Sequence, residues 1–128
     1  RRSSDLIANV LPPLDLDAAA GTWPVAGADA VLCVNMVHIS PWDATLGLLA
    51  GAAKLLPPDA PLILYGPFLQ AGVPTAPSNL AFDESLRARD SRWGLRSVEA
   101  VTAAATSFSL DQCLAMPANN LLLVFCRR

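Results

Sequence analysis

The chain is poor in charge and in aromatic rings. Of its 128 residues, 16% are charged and 6% aromatic, with one histidine and one tyrosine among them. Nine Lys and Arg against eleven Asp and Glu leave a net charge of -2. That balance excludes a whole-molecule basic field, so no nucleic-acid partner is expected. No apolar run approaches the ~20 residues needed to cross a bilayer, so no membrane partner is expected either. The seven glycines never stand as Gly-x-Gly, and these residues carry no dinucleotide or P-loop fingerprint. A Gly-x-Ser-x-Gly elbow is missing too, which removes that form of serine nucleophile chemistry. His38 has no cysteine or carboxylate at ligand spacing, so no metal site is expected. Cys33, Cys113 and Cys126 form no Cys-x-x-Cys pair, and each lies in an apolar run. They read as buried free thiols of a reducing, cytoplasmic setting. The chain opens Arg1-Arg2-Ser3-Ser4 with neither Met nor a secretory h-region, as a processed or cut product would.

What the chain has in quantity is hydrophobic residues, 53% of the total. That proportion excludes an intrinsically disordered chain and fits one domain over residues 1–128. A short extended segment is expected around Leu14 to Leu16, stopping at Asp17. Ala30 to Val34 is continuously apolar and does not alternate, as in a strand covered on both faces inside a parallel sheet. A helix follows, with Ser40 as cap, Pro41 at the first position and Asp43 in the first turn. Leu46, Leu49, Ala53 and Leu56 predict its apolar face, and Pro57-Pro58 ends it. Leu62 to Tyr65 reads as a second buried strand, parallel to the first through this βαβ unit.

Residues 67–78 predict a long loop, of a kind that is often functional. A short helix is expected over Asn79 to Arg89, with Leu80 and Leu86 inward. Ser97 predicts the cap of another, with Val98, Val101 and Ala105 on one face. Phe108 to Ala115 and Leu121 to Phe125, joined by Met116-Pro117-Ala118-Asn119-Asn120, predict a terminal antiparallel hairpin. The fold class expected is therefore α/β: a partial Rossmann-like sheet with helices on both faces and a C-terminal hairpin. Ligands of open α/β sheets sit beyond the C-terminal strand ends, here Asp17, Asn35 to His38 and Tyr65 to Phe68.

The segments DAVLCVNMVHISPW (29–42), LLPPDAPLILYGPF (55–68), SNLAFDESLRARDSRWGLR (78–96) and MPANN (116–120) carry a resemblance. With ANVLPPLDLD (8–17), they resemble the methyltransferase-like protein 26 family, a domain of unknown function. That family looks like the class I S-adenosylmethionine-dependent methyltransferases, whose antiparallel seventh strand lies between strands five and six. The resemblance implies methyl transfer from S-adenosylmethionine to an unidentified acceptor in the intact form. It also implies that the first third of the family domain, with its acidic Gly-x-Gly loop, is missing from this chain. The alternative is a noncatalytic remnant that binds a partner protein or forms a homo-oligomer through the incomplete sheet edge.

Each candidate residue has two readings. Asp17 is implied as an acceptor for the adenine amino group, with Asp15 the weaker competitor; as a plain residue it is a turn aspartate. Asn35 and Met36 would border the cofactor, and Asn35 could equally bond local backbone. His38 would be the general base, or a structural histidine before a helix cap. Tyr65, beside Gly66-Pro67, is a substrate-side candidate or a core ring. Trp23 could be an aromatic wall or ordinary packing. Trp93 and Arg96, with Arg87, Arg89 and Arg92, could bind an anionic or planar substrate. Asp83, Glu84 and Asp90 could instead pair with those arginines on a solvated face.

Overall fold

A computed structural model describes residues 8–128. The expectation for Arg1 to Ser4 lies outside those residues. The elements are β1 (Val31–Val34), a 3-10 turn (Val37–Ile39), α1 (Trp42–Leu55), β2 (Pro61–Gly66), α2 (Pro77–Arg89), α3 (Val98–Ala104), β3 (Phe108–Met116), a second 3-10 turn (Pro117–Asn119) and β4 (Asn120–Arg127). The sheet order is β1-β2-β4-β3. β1 and β2 are parallel, with Cys33 opposite Leu64. β4 is antiparallel to both its neighbours, so β2 and β3 point the same way.

The register separates the two sheet faces, because alternate residues point to opposite sides. Leu62, Leu64, Leu123 and Phe125 are fully buried on one face, where Leu48, Leu49 and Ala52 of α1 and Val101 of α3 cover them. The other face carries Leu32, Val34, Ile63, Tyr65, Leu122, Val124 and Leu114, all half-buried or exposed. Helices on both faces are expected from the sequence, but no helix buries this second face among the described residues. β1 is accordingly an edge strand, with Leu32 64% and Val34 51% exposed. An apolar run specifies a strand but not its neighbours, so the expected double cover of Ala30 to Val34 is corrected.

Other boundaries shift for local reasons. Residues 10–16 form no strand and stay exposed, because no described strand lies beside them to complete a ladder. Asp17 instead turns the chain: its Oδ1 accepts the Ala19 N–H at 3.0 Å, and its carbonyl accepts the Ala20 N–H. Ser40 does not cap α1. Its hydroxyl donates to Met36 O at 2.8 Å, and Pro41 takes the cap position. The buried stripe of α1 is Thr45, Leu48, Leu49 and Ala52, so Leu46 points outward. α2 starts at Pro77, whose missing N–H suits a first turn; Leu86 is buried and Leu80 exposed. Ser97 does cap α3, accepting the Ala100 N–H at 3.0 Å. None of the three free thiols is fully buried, and Cys113 is exposed. Each lies on a strand near a sheet margin or with an open face, so apolar flanks did not bury it. No described helix is long and apolar enough to cross a membrane.

The segment from Ala18 to Trp23 lies across α1 at two glycines. A Cβ on Gly47 would run into Ala18 O, and one on Gly51 into the Trp23 ring. The Trp23 indole N–H also reaches Ala18 O at 3.4 Å, so Trp23 serves as packing. Gly47→Ala is expected to destabilise the chain by roughly 1–3 kcal/mol through overpacking. Gly21→Ala meets nothing within 4 Å and should change little. Paired urea melts check both, and equal midpoints for the two variants would show that the strap can move aside.

Candidate functional site

The parallel strands deliver their C-terminal ends to one rim. Asn35 follows β1 and takes a left-handed backbone, φ 54°. Its N–H donates to Tyr65 O at 2.9 Å, tying the two strand ends together. The chain then tightens through Val37–Ile39, which turns His38 under the sheet rim, where it is 5% exposed. Gly66 permits this approach: a Cβ there would lie 3.4 Å from His38 Nδ1 and 3.5 Å from Asn35 Oδ1. The His38 ring meets Phe82 of α2 edge-on, centroids 5.6 Å apart. Gly94 N–H donates to His38 O at 3.0 Å, fixing the backbone behind the ring. Neither imidazole nitrogen has a hydrogen-bond partner among the described residues.

The β3–β4 connection reaches the same rim, because β3 runs parallel to β2. Asn79, buried on α2, donates from Nδ2 to Asn119 O at 3.2 Å, and Asn119 Nδ2 donates to Ser78 Oγ at 3.4 Å. Together these elements line an open cavity of about 610 Å³, whose lining includes Asn35, His38, Asn79, Phe82, Arg89 and Asn119. That volume lies within the roughly 300–1,000 Å³ of small-ligand sites. Three of the four non-glycine residues with positive φ among the described residues, Asn35, Ala118 and Asn119, line it. Strained backbone of this kind clusters at functional sites. A second hollow, about 650 Å³, lies between residues 19–26 and α1, and among the described residues Asp43 and Lys54 are its charged lining groups.

Of the residues named from the sequence, Asn35, His38 and Arg89 meet in the rim cavity, and the other candidates lie outside its lining. Asp17 is exposed on its turn. The Met36 side chain packs toward the core, and its sulfur accepts the Ser40 hydroxyl at 3.1 Å. Tyr65 is half-buried on the uncovered sheet face, opposite Leu122. Arg96 donates to Ser40 O and Arg92 O at 3.2 and 2.7 Å and lies over the Trp42 ring. Burial, then the nearby Arg87 charge, lowers its pKa from the ordinary arginine value. Trp93 supports Arg89, whose guanidinium carbon lies 5.4 Å from the ring centroid. Phe82, Asn79 and Asn119 were not singled out from the sequence. The only available signal was their place inside the SNLAF and MPANN segments.

Two of the arginines are paired, as the solvated-face reading expects: Arg87 with Asp83 at 3.0 Å and Arg92 with Asp90 at 2.8 Å. The Arg92 hydrogen bonds hold the Asp90 carboxyl down at about 2. Asp83 also accepts the Leu95 N–H at 2.8 Å, which ties α2 to the loop behind the site. The post-β2 loop is docked rather than loose. Leu69 N–H donates to Arg96 O at 2.9 Å, Val98 N–H donates to Leu69 O at 2.8 Å, and Ala71 N–H donates to Glu99 Oε1 at 2.8 Å.

The sequence model of a family described as "protein of unknown function (DUF938)" matches residues 2–127. Among solved structures, the chain is similar to the mitomycin 7-O-methyltransferase MmcR at 22% identity and TM-score 0.75, over 93% of this chain and 34% of that one. It is similar to CalO1, a methyltransferase in calicheamicin biosynthesis solved in its SAH-bound form, at 13% identity and TM-score 0.75, over 94% and 35%. A pericyclic reaction enzyme shares the fold at 12% identity and TM-score 0.77, over 98% and 32%. The chain thus spans about a third of the length of these structures, and the likeness shows a methyltransferase-like fold.

Burial lowers the His38 pKa from 6.5. The unfolded chain therefore binds this proton more readily, and stability is lost as pH falls below that value. Urea midpoints should drop between about pH 7.5 and about pH 5, and His38→Gln should flatten that part of the slope. Identical slopes in the two proteins would exclude His38 as the cause.

Proposed function

Because the chain belongs to the DUF938 family and has a methyltransferase-like fold, we propose that it is the acceptor-side portion of an S-adenosylmethionine-dependent methyltransferase. We assign it, on the motifs quoted above, to the methyltransferase-like protein 26 branch. The observation that carries the reading is an unpartnered, buried imidazole beside a left-handed Asn35 at the C-terminal ends of two parallel strands. Ligands of open α/β sheets bind at this end.

Of the cofactor-side residues, Asn35 lines the rim cavity and Asp17 does not. Asp17 keeps a carboxylate oxygen free of bonds from the described residues, and the Asn35 carboxamide is exposed with no side-chain bond. A carboxylate and a carboxamide suit the amino and carboxyl groups of such a ligand. Met36 would border it through its backbone, since its sulfur is engaged with Ser40. The rest of a cofactor site would need a glycine-rich loop, and the chain has no Gly-x-Gly.

When bound, S-adenosylmethionine supplies a methyl carbon on a sulfonium, to which an acceptor oxygen or nitrogen lone pair forms a bond as the C–S pair leaves to sulfur. The chain's residues have two tasks in that displacement. The first is placement, which accounts for much of the barrier in such reactions. Phe82, Asn79 and Asn119 form the wall that would hold the acceptor. The second is removal of the acceptor's proton, for which His38 is the candidate catalytic residue. Its lowered pKa keeps the imidazole neutral at neutral pH, with a lone pair available. Trp93 and Arg96 act as positioning residues behind this wall.

A second reading is favoured by the uncovered sheet edge: a noncatalytic module that pairs with another copy through Val31–Val34. The edge carries no Lys or Pro to block pairing.

Calorimetric titration with S-adenosylhomocysteine tests the first reading. Binding is expected, weakened about tenfold by Asn35→Ala and changed little by His38→Gln. No heat at millimolar ligand would sink the cofactor assignment. Sedimentation separates the second reading. A dimer dispersed by Val34→Lys would support it, whereas a monomer at high protein concentration would exclude it.

A further inference from the structure

The four arginines around Trp93 are not equivalent. Arg87 is taken by Asp83, Arg92 by Asp90, and Arg96 by the carbonyls of Ser40 and Arg92. Arg89 makes no hydrogen bond or ion pair among the described residues. It is also the only one of the four that lines the rim cavity. Trp93 supports its guanidinium without neutralising it. Among the described residues the cavity lining contains no Asp or Glu to do so, and Glu84, the remaining carboxylate of α2, is not part of that lining.

The rest of the lining has a consistent chemistry. Ser78, Phe82 and Arg89 recur at helical spacing on one stripe of α2. Phe82 is 38% exposed, so its ring offers a free apolar surface beside His38. The Asn79 and Asn119 carboxamides each commit one N–H, to Asn119 O and Ser78 Oγ, and their carbonyl oxygens remain as acceptors. The cavity therefore offers one unspent cation, one aromatic surface, carbonyl acceptors and one neutral imidazole.

We propose that this cavity binds a planar hydroxylated acid, its carboxylate held by Arg89, its ring against Phe82 and its hydroxyl toward His38. A guanidinium on an aromatic face is well suited to a carboxylate, which it can meet with two parallel N–H donors. The assignment rests on the methyltransferase reading only for what then happens to the hydroxyl. As a binding site it stands by itself.

The test is titration of the chain with para-hydroxybenzoate and with its uncharged congener para-hydroxybenzamide, followed by heat. The acid should bind about tenfold more tightly, as a charge-assisted pair predicts. Arg89→Gln should abolish that preference without changing the far-ultraviolet circular dichroism, because the side chain is exposed. Phe82→Ala should weaken both probes alike. Equal affinity for acid and amide, no saturation by either at millimolar concentration, or a preference surviving Arg89→Gln would each overturn the proposal. The parallel titration with S-adenosylhomocysteine keeps the two ideas apart. Acid binding without cofactor binding sustains this site and defeats the methyltransferase reading, and the reverse result does the opposite.

Discussion

The constraint on which the structure depends is the insertion of β4 between β2 and β3. An antiparallel strand there satisfies its backbone groups on both sides, and it seats Leu123 and Phe125 against Leu62 in the covered face. It also forces β3 to run parallel to β2. The Met116 to Asn120 connection therefore returns to the rim where β1 and β2 end. Without that reversal, Asn119 could not meet Asn79 or line the rim cavity.

Two kinds of polar accounting distinguish this rim from an ordinary sheet end. Carboxylates, carbonyls and hydroxyls near it are mostly committed: Asp83 to Arg87 and Leu95, Asp90 to Arg92, Ser40 to Met36. His38 and Arg89 are not. His38 is 5% exposed, and its ring nitrogens, bonded to no described residue, keep some solvent contact at the cavity. Its companions Asn35, Ala118 and Asn119 hold left-handed backbone, which asparagine tolerates and alanine does not favour. Here local backbone cost and a cavity coincide.

The sheet itself is lopsided. One face is closed by α1 and α3, and the other shows a continuous run of aliphatic side chains ending at β1. The matched structures are about three times as long as this chain. Among the described residues the core closes one face of the sheet only, and the energetics of β1 are those of an edge.

Much was legible in the linear order. Val31–Val34 and Leu62–Tyr65 read as parallel strands because continuous apolar runs separated by an amphipathic helix leave few other arrangements. The hairpin followed from a short five-residue connection of turn composition, and the α3 start from Ser97 and Glu99. The Leu14 to Leu16 strand, the Ser40 cap, the inward Leu46 and Leu80, and the buried cysteines did not follow. Each depended on what lies alongside, and a sequence lists residues rather than neighbours. The site divides in the same way. His38 and Asn35 could be named because they close a strand in an open α/β pattern. Phe82, Asn79 and Asn119 come from a helix and a hairpin turn separated by about forty residues, and only tertiary folding joined them. The separation of Arg89 from three chemically identical neighbours likewise waited for the fold, because pairing is decided by distance in space.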